Sequence, residues 1–263
     1  MPPSSPSPDP APLPAPYTDF EFDVAQRLPL LLCLDTSSSL GKSGAITALN
    51  EALAAWTQSL EDDLDLRGNV DVALITFGGS DGIAVWQGDT PLGPTAPQWP
   101  HTPFVPAHEF FPPRLTADGV TLMDRALRLS MEVVADYKAG LRAEGLTYYR
   151  PQICVVTDGY PSDEQGHFSY AYRALLPELR AAEQERRFRL FAVGVGERQS
   201  GAESVLAELA PDYHAWLDGF PFKELLSAMS HSARATAEGA GEAEFQEIFA
   251  RLKRRRGGGQ VPA

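Results

Sequence analysis

Two carboxylates and three hydroxyls in this chain sit where they can act together on one cation. Asp35 ends an apolar run, and Ser37 and Ser39 follow it at alternating positions in LDTSSSL (34–40). Asp158 ends a second apolar run, ICVVTDG (153–159), and Thr121 opens a helical segment, GVTLMDRAL (119–127). All five offer oxygen. Hard divalent cations take oxygen ligands, and Mg²⁺ favours octahedral geometry at ~2.0–2.1 Å with several waters retained. Two carboxylates neutralise such an ion, and neutral hydroxyls leave it electrophilic toward a further anion. The expected ligands are thus Asp35, Ser37, Ser39, Thr121 and Asp158, for Mg²⁺ or, in its place, Mn²⁺ or Ca²⁺. For Ser37 and Ser39 taken alone, helix capping is an equal reading, because Ser is favoured at such loop ends.

The elements that must position these groups read as follows. LPLLLCL (28–34) is a continuous apolar run, as in a strand buried on both faces. Ile46, Leu49, Leu53, Trp56 and Leu60 then form one helix stripe. Strands are expected at 69–77, 82–87, 151–159, 187–196 and 213–218. Helices are expected from 119 onward, over 168–186 and 202–209, and in PFKELLSAMSHSA (221–233). Residues 88–117 carry eight prolines and several aromatics with no helical or alternating period and read as a long surface loop. Alternating strands and helices predict an α/β domain: a doubly wound, mostly parallel six-stranded Rossmann-like sheet with helices on both faces. In such sheets ligands bind at the carboxyl ends of the strands, near the switch point of strand order. Asp35 and Asp158 should both reach that edge.

With 263 residues, 43% apolar and 22% charged, the chain has the composition of a globular protein, and its net charge of −13 argues against nucleic-acid or anionic-membrane binding. The first sixteen residues contain eight prolines, so residues 1–20 are expected to form a disordered tail, with the folded domain over 21–236. Residues 237–263 read as a linker, a short amphipathic helix (Phe245, Ile248, Phe249, Leu252) and a basic tail that docks on the body or on a partner. No signal peptide and no run of ~20 apolar residues is present, so a cytoplasmic protein is expected. Cys33 and Cys154 lie in strand-like runs and read as buried, reduced thiols.

LDTSSSL, Thr121 within TADGVTLMDRAL and Asp158 within TDGYPSD resemble the metal-ion-dependent adhesion site (MIDAS) of von Willebrand factor A (VWA) domains: Asp-x-Ser-x-Ser, then a distant Thr and a distant Asp, in that order. The resemblance runs from about residue 28 to 235 and includes FAVGVG (191–196) and AWLDGFPFKELLSAMSHSA (215–233). Those segments and FFPPRLTADGVT (110–121) are most similar to the tellurium-resistance-associated, TerY-like subgroup. Val120 departs from the usual glycine, and Ser38 and Leu40 stand where Gly and Met are common. The resemblance implies a non-enzymatic adaptor in a bacterial stress or tellurium-resistance system. It also implies a protein partner, such as a kinase or phosphatase, that supplies an Asp or Glu carboxylate to the metal. Trp99, Phe104, Phe110 and Phe111 are candidate rim contacts, with core packing an open alternative for at least two of them.

Three other readings compete. The GKS at 41–43 lacks the glycine a phosphate-binding loop needs five residues earlier, because position 36 is Thr. A metal-dependent hydrolase would use Asp163 or Glu164 as base, yet no nucleophile–base pair stands out and the five histidines lack metal-ligand spacing. The VWA subunit of an ATPase or chelatase complex would usually carry a fused ATPase domain or a long acidic linker.

Overall fold

The computed structural model describes residues 26–62, 68–79, 82–93, 103–198 and 200–217, with Leu225, Leu226, Met229 and Glu247. The proline-rich tail, Trp99, the basic C-terminal tail and most of the last two helices lie outside the described residues.

The apolar run beginning at Leu28 forms strand β1 (Leu28–Thr36), buried along its whole length. It pairs in parallel with β2 (Val70–Gly78) on one side and β6 (Gln152–Thr157) on the other. Burial of every β1 residue explains why the run is continuous rather than alternating: both faces are covered. The sheet continues through β7 (Arg189–Gly194) and β8 (His214–Trp216), both parallel. On the opposite side β3 (Ile83–Gln87) and β4 (Thr90–Leu92) are antiparallel, and β5 (Val105–Pro106) pairs with the start of β2. The order is β4-β3-β2-β1-β6-β7-β8, with β5 beside β2.

This is the expected doubly wound, mostly parallel α/β fold, with eight strands in place of six. The two additional strands come from the proline-rich segment. A two-residue antiparallel edge pairing tolerates Pro106, which cannot donate to a ladder.

The helices are α1 (Ser38–Lys42), α2 (Ala45–Asp62), α3 (Met123–Ala143), α4 (Leu176–Gln184) and α5 (Ala202–Leu209). The expected stripe helix is α2; a short additional helix, α1, precedes it and is separated from it at Gly44, whose φ of 75° is left-handed. The stripe Leu49, Leu53, Trp56 and Leu60 is buried as expected. Leu225, Leu226 and Met229 are helical and buried, and the Met229 carbonyl accepts from Gln152 on β6.

The proline-rich segment is only partly a surface loop. Phe104 stacks on Tyr137 of α3 with ring centroids 4.2 Å apart, and Phe110 meets Trp56 edge-on at 6.2 Å. Both are buried, whereas Phe111 is 65% exposed. Cys33 and Cys154 are free and buried on adjacent strands. The register sets Cys33 beside Val155 and Leu32 beside Cys154, so the two thiols point to opposite faces of the sheet. Among the described residues no helix is long and apolar enough to cross a membrane.

Candidate metal centre

The chain passes from β1 to β2 on one side of the sheet and returns to β6 on the other. The switch point of strand order therefore lies between β1 and β6. Asp35 is the penultimate residue of β1, and Asp158 directly follows β6. Both carboxylates stand at the carboxyl edge where this topology opens a crevice. Asp35 is fully buried, and Ser37, Thr121 and Asp158 are each less than 5% exposed.

Hydrogen bonds aim Asp35. Its Oδ1 accepts from the Ser37 backbone N–H at 2.8 Å, and its Oδ2 accepts from the Thr157 hydroxyl at 2.6 Å. The Thr157 oxygen in turn accepts from the Gly159 N–H at 3.1 Å. Thr157 therefore links the two aspartate-bearing strand ends. Asp158 Oδ1 accepts from the Tyr160 N–H at 3.1 Å.

The two serines sit together at the start of α1. Ser37 occupies the N-cap position of α1, yet its side chain makes no capping hydrogen bond. Its Oγ lies 3.0 Å from Ser39 Oγ instead. The hydroxyls thus face one another beside the carboxylates, and Ser37 does not act as a helix cap.

Thr121 sits differently from the expectation. It precedes α3 by two residues, in an irregular segment, and does not open the helix. Hydrogen bonds tie that segment to the β1 edge: Asp118 N–H to Thr36 O at 2.8 Å, and Ser38 N–H to Gly119 O at 3.2 Å.

The electrostatics are those of an uncompensated anion pair. Burial, and next the Asp158 charge, push the Asp35 carboxyl up to about 7. Burial raises Asp158 as well, and a hydrogen bond from Ser39 pulls it partly back. Among the described residues no Lys, Arg or His forms an ion pair with either. Buried charges persist when they are paired or hold a metal. The residues present fit a hard divalent cation, because the donor set is all oxygen and two negative charges lack a counter-charge. Among the described residues no three His, Cys, Asp or Glu side chains cluster, so the hydroxyls must complete any such site.

A cleft of about 420 Å³ opens beside these groups, lined by Ser39, Lys42, Ser43, Asp158 and Glu197. Lys42 is exposed at the end of α1 and forms part of that wall. Glu197, Thr157 and Ser162 were not legible as site residues. Each reaches the site through tertiary placement that no local spacing signals. Asp163 and Glu164, the candidate bases, are engaged elsewhere. Asp163 accepts from the Gln165 and His167 N–H groups, and Glu164 pairs with Arg125.

The raised Asp35 carboxyl gives a pH prediction with a definite sign. Without a cation the folded chain holds this proton more tightly than the unfolded chain does. The resulting stability is fully present below about pH 4 and is lost as pH rises to about 7. Denaturant unfolding in EDTA should therefore show a loss between pH 5 and pH 8 that is smaller in Asp35→Asn. An equal loss in both proteins would remove Asp35 as its source.

No protein-family model and no curated protein matches this sequence. Among solved structures the chain is similar to the pilus adhesin SpaC from Lactobacillus rhamnosus GG in its open conformation. The identity is 14% and the TM-score 0.54, over 79% of this chain and 30% of that one. It is also similar to the vWF domain of the type V pili tip protein Mfa5 from Porphyromonas gingivalis, at 12% identity and a TM-score of 0.48, covering 82% of this chain and 97% of that one. The manganese-loaded TRAP protein of Plasmodium vivax is similar at 16% identity and a TM-score of 0.43, over 77% and 73%. The chain spans less than a third of the SpaC chain, and the likeness is one of fold.

Proposed function

We propose that this chain is a VWA-type domain that captures a protein partner through a divalent cation held at Asp35, Ser37, Ser39, Thr121 and Asp158. One observation carries the reading: two buried carboxylates meet at the switch point of the sheet without a cationic partner, flanked by the Ser37 and Ser39 hydroxyls. A cation held there would supply a Lewis-acidic centre that attracts an oxygen anion. The protein's own part is to hold the hydroxyls toward that point while Ser37 N–H and Thr157 fix the Asp35 carboxylate. The partner accordingly presents an Asp or Glu carboxylate, and the cleft walled by Lys42 and Glu197 receives it.

The finer reading is what the resemblance implies: a TerY-like member of a bacterial stress or tellurium-resistance system, Mg²⁺ as the resident ion, and a cytoplasmic kinase or phosphatase as partner. The role is non-enzymatic. Asp163 and Glu164, the residues a hydrolase would use as base, have their carboxylates taken up by loop N–H groups and by Arg125.

The test is a pull-down from native lysate with wild type, Thr121→Ala and wild type plus EDTA. Thr121→Ala removes one hydroxyl without stranding a buried charge, so it should weaken partner capture several-fold while the fold persists. Identical recovery of the same partners in all three arms would contradict the reading.

A further inference from the structure

Of the five oxygen donors, Thr121 is the one that no strand end positions. Asp35 is fixed by β1, Ser37 and Ser39 follow within one turn, and Asp158 is fixed by β6. Thr121 lies in the irregular segment before α3, with Leu122 between it and the first helical residue in a non-helical conformation (φ −79°, ψ 61°). Something outside that segment must set where its hydroxyl stands.

The contact that does so comes from the loop after Asp158. Ser162 Oγ accepts from the Thr121 backbone N–H at 2.8 Å, and the Ser162 backbone N–H donates to the Thr121 carbonyl at 2.9 Å. This reciprocal clasp grips both polar groups of one residue. Both partners are buried, Thr121 at 4% exposure and Ser162 at 6%, so water cannot replace a lost bond cheaply. The loop that provides the clasp is itself well tied. The Ser169 N–H donates to Pro161 O at 2.9 Å, the Asp163 N–H donates to His167 O at 2.9 Å, and Ser162 bridges to Phe168. A rigid loop thus carries Asp158 at one end and holds Thr121 four residues further on.

We propose that Ser162 is a positioning residue of the metal centre: its clasp on the Thr121 backbone couples the threonine hydroxyl to the Asp158 loop. The inference rests on the cation reading above. Outer-shell partners that orient a ligand typically change metal affinity ~10–100-fold when removed. Ser162→Ala keeps the backbone N–H and loses the acceptor, which leaves the Thr121 N–H buried and unsatisfied.

The probe is Mn²⁺ alone, titrated calorimetrically into wild type, Ser162→Ala, Ser162→Thr, Thr121→Ala and the Ser162→Ala/Thr121→Ala double variant. Each is assayed below the melting point it shows in EDTA. Ser162→Ala should bind Mn²⁺ about 10-fold more weakly, and Ser162→Thr, which keeps the acceptor, should restore most of that. On the Thr121→Ala background the Ser162→Ala change should add little, because a residue that acts through Thr121 has nothing left to position. Wild-type affinity in Ser162→Ala would overturn the inference, as would a further 10-fold loss in the double variant. An equal loss in Ser162→Ala and Ser162→Thr would reduce the contact to packing and overturn it too. Absence of Mn²⁺ binding by the wild type would instead overturn the cation reading itself.

Discussion

Mg²⁺ at a hundredfold excess over its dissociation constant should stabilise the folded chain by about 2.7 kcal/mol, and Asp35→Asn should abolish the gain. For a domain of this size that corresponds to roughly 5–10 °C in Tm. Asparagine keeps the shape of the side chain. Its oxygen can still accept from the Ser37 N–H, and its amide can donate to the Thr157 oxygen, so the local hydrogen bonds survive in altered polarity. What it removes is the charge. In EDTA above pH 7 the variant should therefore be at least as stable as the wild type, since it lacks a buried carboxylate that burial and Asp158 both disfavour. A melting-temperature comparison in Mg²⁺ and in EDTA checks both halves. Equal metal shifts in the two proteins would place the cation elsewhere.

Gly119→Ala should be among the most damaging single changes near the site. Gly119 has φ +69°, and a Cβ there would lie 2.2 Å from the Gly79 carbonyl oxygen and 2.9 Å from two further Gly79 backbone atoms. Backbone cannot swing aside as a side chain can. The same few residues weave three loops together: Asp118 N–H to Thr36 O, Gly79 N–H to Asp118 O and Ser38 N–H to Gly119 O. Moving Gly119 therefore moves Ser38 and the segment that carries Thr121. The expected cost is about 3 kcal/mol or more, together with loss of the response to Mg²⁺. Gly44→Ala is the control. Gly44 is also left-handed, at φ +75°, but nothing lies within 4 Å of its Cβ direction. It should cost only ~1–2 kcal/mol and leave the metal response intact. Equal effects of the two substitutions on that response would show that the close approach of Gly79 and Gly119 is unimportant to the site.

The strand ends were readable because their signals are local. A continuous apolar run that closes on an aspartate states both burial and position, and β1 and β6 end as read, within two residues. The α5 helix, Ala202–Leu209, likewise matches the expected 202–209. The proline-rich segment was harder for a physical reason. Frequent prolines break any period, so burial of Phe104 and Phe110 is set by their meeting Tyr137 and Trp56, residues far off in sequence. The five candidate donors were legible as types in order; the structure places Asp35, Ser37, Ser39 and Asp158 at one edge of the sheet and ties the backbone around Thr121 to that edge through Asp118, Gly119 and Ser162. Thr157 and Ser162 were not legible, because a hydroxyl that reaches Asp35 across 122 positions, or Thr121 across 41, leaves no trace in local spacing. Helix α1 was not legible, because five residues are too few to show an apolar period.

The most direct test of the account is where a cation sits. Crystals grown with Mn²⁺ and measured near the manganese absorption edge should show one strong anomalous peak at the carboxyl edge of β1 and β6. That peak should lie within about 2–2.5 Å of oxygens drawn from Ser37, Ser39, Thr121 and the two aspartates, and it should vanish in Asp35→Asn. A peak elsewhere on the chain, or none at the Asp35–Asp158 pair in crystals that hold the metal at other sites, would contradict it.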